Sequence, residues 1–150
     1  MVWDSEQWNA EEISSPERDD YIVYRLIESA SRKSVYIGVV LSRQYRKRFF
    51  RHYTDDVRSP WHAHQWPADI YQGSCEQWPY RPDIIEHLKG FTRLEALAAQ
   101  QYWWEKYCGA KGLLKNGQQP LPRSRFIVLR GQGCWDGYLK GFPNGWVPTL

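Results

Sequence analysis

Two tyrosines and a dense group of cations are the residues of this sequence best suited to chemistry on a phosphate. Tyr24 and Tyr36 lie twelve residues apart, and residues 43–51 carry five basic side chains and no acidic one. A phenol titrates near about pH 10, so a tyrosine acts as a base only beside positive charge. The cations are Arg43, Arg46, Lys47, Arg48 and Arg51. This combination predicts phosphate contact; the alternative is two core tyrosines and a solvated basic helix face.

The charge of the chain is divided unevenly along its length. The 150 residues carry a net charge of +3, but residues 1–20 hold seven acids against Arg18 alone, a local balance of −6. The other 130 residues therefore carry +9. A basic body with an acidic N-terminal arm indicates a polyanionic partner, and we expect nucleic acid.

The composition excludes several classes of protein. The mean hydropathy is −0.70, and no apolar run approaches the roughly 18 residues of a membrane span. A hydrophobic content of 42% excludes a disordered chain. The three cysteines show neither metal-site spacing nor an even count, which indicates reduced thiols in a cytoplasmic protein. The first residues have neither the basic nor the apolar segment of a secretory signal, so we expect none.

Two strands must position the tyrosines. Residues 21–27 and 35–41 are rich in β-branched and aromatic side chains, and the polar residues between them predict a hairpin. Gly38 interrupts the second strand, which predicts either a bulge or a close approach of another group to the backbone.

Further elements follow the hairpin. Ser42 can cap a basic helix over residues 42–53, and residues 82–88 and 125–129 are predicted strands. Thr92 and Glu95 form a capping-box pattern that begins a helix ending at about Tyr107.

The pattern predicts an α/β protein of the α+β type. We expect a small, mainly antiparallel sheet of three or more strands, with the helices packed against it. The predicted divisions are an acidic arm or helix over residues 1–19, a core over residues 20–120, and a C-terminal extension over residues 121–150 packed on the core.

Five short segments follow one another in an order known from one group of nucleases. They are Ile22-Val23-Tyr24, Tyr36-Ile37-Gly38, Arg48-Phe49-Phe50-Arg51-His52, the helix from Glu95 through Gln100, and Leu113-Leu114-Lys115-Asn116. Over about residues 20–120 the chain resembles the GIY-YIG nuclease superfamily, with the first motif degenerate and the second intact. The segment after the third strand is similar to the nuclease domains of bacterial secreted toxins.

The resemblance implies a role for each matching residue. Tyr24 and Tyr36 would orient and activate the attacking water, and Arg48 would bind the scissile phosphate. Without a slightly longer loop after Gly38, Arg46 takes the role of Arg48.

Other matching residues would support the reaction. His52, one turn after Arg48, would serve in proton transfer, and Asn116 would orient neighbouring groups. The remaining cations of the basic helix would bind nucleic acid; they are Arg43, Arg46, Lys47 and Arg51.

One position departs from the family's pattern. Gln100 stands where the resemblance places the glutamate that binds one Mg²⁺ or Mn²⁺ ion, and a neutral amide binds such an ion far more weakly. The change keeps the shape and removes the charge, as in a substitution made to silence a toxic nuclease or in a domain that has lost catalysis. A different alignment would use Glu95 or Glu105, but Glu95 is already explained by the capping box.

The resemblance implies a metal-dependent endonuclease that acts on DNA or RNA, of which we expect DNA, and that is inactivated here by Gln100. As a toxin domain it would act in the cytoplasm of a target cell, and an acidic immunity or inhibitor protein would cover its basic cleft. Two alternatives remain: a non-catalytic nucleic-acid-binding domain that retains the nuclease fold, and a protein-interaction module whose basic helix meets an acidic partner.

Overall fold

A three-stranded antiparallel sheet is the centre of the computed structural model, which describes residues 8–45, 80–107, 114, 116 and 120–130. Its strands are β1 (Arg18–Glu28), β2 (Ser34–Leu41) and β3 (Tyr80–Thr92), in the order β2-β1-β3. The predicted α/β class and antiparallel hairpin are thereby confirmed. Each strand extends beyond the apolar segment that predicted it, because polar residues also join the ladder.

Helices flank this sheet. They are α1 (Ala10–Ile13), α2 (Arg93–Lys106) and α3 (Arg123–Arg130), and residues 42–45 are also helical, directly after β2. The rest of the predicted helix over 42–53 lies outside the described residues. No described helix is long and apolar enough to cross a bilayer.

The start of α2 agrees with its sequence pattern. Glu95 N donates to Thr92 Oγ1 at 3.2 Å, and Thr92 N donates to Glu95 Oε1 at 3.0 Å, which completes the predicted capping box. Arg18 adds an ion pair to the same Glu95 oxygen at 2.9 Å. The buried carboxylate therefore ties the helix start to β1.

The sheet carries apolar side chains on both faces. Val23 and Ile37 belong to the core that α2 covers, and Trp8 and Ile13 join that core from the N-terminal segment. Neighbouring strand residues point to opposite faces, so Tyr24 and Tyr36 lie on the other side of the sheet. There they form what we call the aromatic cluster: Ile22, Tyr24, Leu26, Val35, Tyr36, Val40 and Tyr80, with Tyr45 packed against it.

Two irregularities interrupt the pairing of β1 with β3. One lies between Asp19 and Tyr21, opposite the segment containing Gly90, which has a φ of 70° that favours glycine. The other falls between Val23 and Tyr24. Bulges of this kind change the direction of nearby side chains, and the second lies beside one of the candidate tyrosines.

The predicted strand over residues 125–129 is wrong, because α3 occupies this segment. Phe126 is 1% exposed and its N–H donates to Pro122 O at 2.9 Å, whereas Ile127 and Val128 are 57% and 64% exposed. The helix buries the one large ring and satisfies its backbone internally. The β-branched residues that suggested a strand lie in solvent, where propensity alone does not decide the conformation.

Candidate functional site

The two predicted catalytic tyrosines lie side by side on β1 and β2. Their ring centroids are 6.2 Å apart, and both side chains are fully buried. The register pairs Tyr24 with Gly38 and Leu26 with Tyr36, which places both rings on one face. The predicted hairpin therefore brings these residues together.

Gly38 makes room for Tyr24. A Cβ atom built at Gly38 would lie 2.3 Å from Tyr24 Cζ and 2.4 Å from its hydroxyl oxygen, distances that real contacts do not show. Of the two predictions for this glycine, the close approach is correct: the ring crosses directly over the strand.

Other aromatic rings surround the pair. Tyr45, from the helical turn after β2, lies 6.2 Å from Tyr24, and Tyr80 adds a further buried ring from β3. Since neither Tyr24 nor Tyr36 has exposed surface, a ligand can reach their hydroxyl groups only if neighbouring groups move.

Gln100 and Asn116 meet at the backbone of Ile37. Gln100 Nε2 and Asn116 Nδ2 both donate to Ile37 O, at 2.8 and 2.7 Å, while Asn116 Oδ1 accepts from Ile37 N at 3.1 Å. Within the described sheet β2 is an outer strand, so these side chains bind backbone groups that point away from β1. Gln100 and Asn116, both predicted as residues of a metal-dependent site, are thus hydrogen-bonded to the segment Tyr36-Ile37-Gly38.

The alternative metal ligands on α2 have structural partners. Glu95 serves the capping box and Arg18, as described above. Glu105 Oε2 accepts from Gln101 Nε2 at 3.0 Å, and Gln101 Oε1 accepts from Leu121 N at 2.9 Å. These contacts connect α2 with the segment leading into α3.

The basic segment enters the described structure only at its start. Arg43 is exposed and pairs with Asp19 at 2.7 Å. Burial acts to raise the pKa of Asp19, but the hydrogen bond from Arg43, a backbone hydrogen bond and the charges of Arg43 and Arg93 lower it overall. The other predicted site residues of this segment, Arg46, Lys47, Arg48, Arg51 and His52, lie outside the described residues.

A polar network on the opposite side of the sheet was not predicted from the sequence. Arg25 Nε donates to Asp83 Oδ2 at 2.7 Å, and its Nη1 donates to Ser34 Oγ and Tyr107 Oη, each at 3.2 Å. The available signal was a single arginine within the otherwise apolar residues 21–27. Its partners lie on three other segments, which the sequence alone did not bring together.

The described residues do not fit the implied magnesium ion. No group of three or more His, Cys, Asp or Glu side chains among them could hold a metal. Gln100 directs its Nε2 donor at Ile37 O, and its amide carries no charge to offset the dehydration of a cation.

Comparisons of the chain with protein-family models, curated proteins and solved structures give no match.

Proposed function

We propose that this chain has the architecture of a GIY-YIG-type endonuclease for DNA or RNA and that Gln100 makes the present form inactive. The observation that carries the proposal is the tyrosine pair on adjacent strands, with Tyr24 packed over Gly38 and the preceding Ile37 held by Gln100 and Asn116. This convergence of Tyr24, Gln100 and Asn116 on the segment Tyr36-Ile37-Gly38 supports a common site.

The proposed chemistry is hydrolysis of a phosphodiester bond. Tyr24 and Tyr36 flank the phosphate and orient water, while Arg48 binds the phosphate oxygens and His52 transfers a proton. Gln100 lacks the carboxylate that such a site needs, so this form binds nucleic acid without cleaving it. Of the two nucleic acids we favour DNA as the substrate, with Mg²⁺ or Mn²⁺ required by a form that carries glutamate at this position.

A toxin domain is the setting that this proposal favours. It acts in the cytoplasm of a target cell, and an acidic immunity or inhibitor protein binds its basic surface. The uneven charge of the sequence supports such a partner, because attraction between opposite charges speeds association.

A second candidate is a nucleic-acid-binding domain without catalysis. Two observations favour it: both tyrosines are fully buried, and the Gln100 amide donates a hydrogen bond that a carboxylate could not supply. In this interpretation Gln100 is a structural residue that fastens α2 to β2.

The decisive experiment compares the protein as given with Gln100→Glu and with Gln100→Met, which lacks both charge and donor. Plasmid DNA and total tRNA are incubated with each protein and Mg²⁺, and the products are separated on a gel. We expect cleavage only by Gln100→Glu, together with a Mg²⁺-dependent rise of its Tm, since a ligand that binds the folded state stabilises it.

Folding of the variants is checked by circular dichroism. If a folded Gln100→Glu protein binds nucleic acid without cutting it, the endonuclease proposal is wrong and the binding domain is retained. If none of the three proteins binds, both proposals fail.

A further inference from the structure

A cavity of about 460 Å³ adjoins the start of β2. It is formed where the β1–β2 turn meets the end of α2. Its lining residues are Glu28, Ser31, Lys33, Ser34, Val35 and Tyr107. The volume is within the range of about 300–1,000 Å³ found for small-ligand pockets.

Arg25 fixes the hydrogen-bonding character of one wall. Its guanidinium group, held by Asp83, donates to the hydroxyls of Ser34 and Tyr107. An arginine side chain has donors only, so both hydroxyl oxygens serve it as acceptors. Their own protons are therefore available to an acceptor in the cavity.

The rim of the cavity provides charge of both signs. Lys33 is exposed beside Ser31, whose hydroxyl oxygen accepts from Lys33 N at 3.3 Å, and the exposed Arg32 precedes it in the turn. Glu28 is the acidic lining residue and can accept from an amino group. A suitable ligand thus carries an anionic or acceptor-rich end and a separate donor.

Tyr107 supplies an aromatic wall whose position is constrained. The Arg25 guanidinium carbon lies 5.6 Å from the centre of its ring, and Trp103 lies 6.3 Å away. Its ring is partly accessible and lines the cavity. Aromatic side chains fixed in this way are stacking surfaces for unpaired bases.

We propose that this cavity binds one unpaired nucleotide whose base carries an exocyclic amino group. The base packs against Tyr107 and donates its amino group to Glu28, while Lys33 and the serine hydroxyls contact the phosphate and sugar. This inference rests on the proposed action on nucleic acid and adds to it a single-strand subsite at the β1–β2 turn. The same chemistry is offered by a free mononucleotide.

The test measures binding of fluorescein-labelled dC10 and dT10 by anisotropy, with free cytidine monophosphate as a separate ligand followed by NMR. We expect dC10 to bind about fivefold more tightly than dT10, because thymine has no amino group for Glu28. Tyr107→Leu is expected to weaken dC10 binding about tenfold, and Glu28→Gln to abolish the preference for cytosine.

Tyr102→Leu is the matched control, since it removes an aromatic ring that lies on α2, the helix that Tyr107 caps, and does not line the cavity. It should leave binding unchanged, and circular dichroism must show that all variants are folded.

If Tyr107→Leu and Glu28→Gln bind dC10 like the unmodified protein, the subsite is overturned although nucleic-acid binding elsewhere stands. If cytidine monophosphate binds and requires Tyr107 while neither oligonucleotide binds, the cavity is a mononucleotide site and the single-strand subsite is overturned. If no nucleotide ligand binds at all, the subsite is overturned, and cleavage of plasmid DNA and tRNA by Gln100→Glu decides the proposed function separately.

Discussion

At the scale of single residues, Gly38 and Tyr24 depend on each other. The tyrosine ring occupies the volume that any side chain at position 38 would need, and the ring is itself buried within the aromatic cluster. A close-packed interior has little freedom to absorb an added methyl group. The need for glycine at position 38 thus has a structural cause that is independent of catalysis.

Gly38→Ala is expected to lower the free energy of unfolding by about 1–3 kcal/mol, because the new methyl group overlaps the Tyr24 ring. The measurement is urea denaturation of Gly38→Ala, Tyr24→Leu and the double variant. The cost of the alanine should be smaller in the Tyr24→Leu background, where the obstructing ring is absent. Equal costs in the two backgrounds would contradict this account.

At the scale of elements, β2 is fastened along its outer side by side chains rather than by another described strand. Asn116 copies the donor and acceptor of a neighbouring backbone at Ile37, and Gln100 adds a second donor from α2. These bonds satisfy buried peptide groups whose loss would be costly. They also fix the position of the strand that carries Tyr36.

Asn116→Ala should destabilise the protein by about 1–2 kcal/mol and accelerate hydrogen exchange at the Ile37 amide, which loses its acceptor. Exchange is measured by NMR with residue resolution. Asn116→Asp is the matched variant: it keeps an acceptor for Ile37 N while losing the donor to Ile37 O. Protection of this amide in the aspartate variant but not in the alanine variant is expected. Unchanged exchange in both would show that Asn116 does not hold the strand.

At the scale of the whole molecule, the N-terminal segment is joined to the core by both packing and charge. Tyr21 contacts Trp8 edge to face, with ring centroids 5.7 Å apart, and both side chains are buried. Burial raises the pKa of Tyr21 to about 12 from its ordinary value of 10.0, although the charge of Arg93 opposes this effect. The unfolded chain therefore releases this proton at a lower pH than the folded protein.

The global stability should consequently fall as pH rises from 10 to 12, and Tyr21→Phe should show less of this fall. The stabilisation is fully present below pH 10 and is lost through the folded pKa of about 12. The expected loss attributable to Tyr21 is about 1.4 kcal/mol at pH 11, with a limit of about 2.7 kcal/mol. Urea denaturation of both proteins at pH 8 and pH 11 measures the difference. An identical pH-dependent change in the two proteins would refute the assignment.

The sequence by itself determined the features that depend on neighbouring residues. The hairpin of β1 and β2 and the capping box from Thr92 to Glu95 follow from local pattern. For Gly38 the sequence left a bulge and a close approach open, and the structure shows the close approach. The tyrosine pair follows from the hairpin, because the hairpin register fixes which strand residues share a face. At α3 the local pattern predicted a strand instead of a helix, because burial of Phe126 outweighs the strand propensity of the β-branched residues beside it.

Only the tertiary structure decided which distant groups share a hydrogen bond. Ile37 O accepts from Gln100 and Asn116, which stand 63 and 79 residues further along the chain, and Arg25 joins Tyr107 across 82 residues. The sequence identified Gln100 and Asn116 as residues of interest without indicating that both bind one carbonyl. Such contacts depend on how α2 packs across the sheet, and chain folding brings together polar groups that no short-range spacing relates.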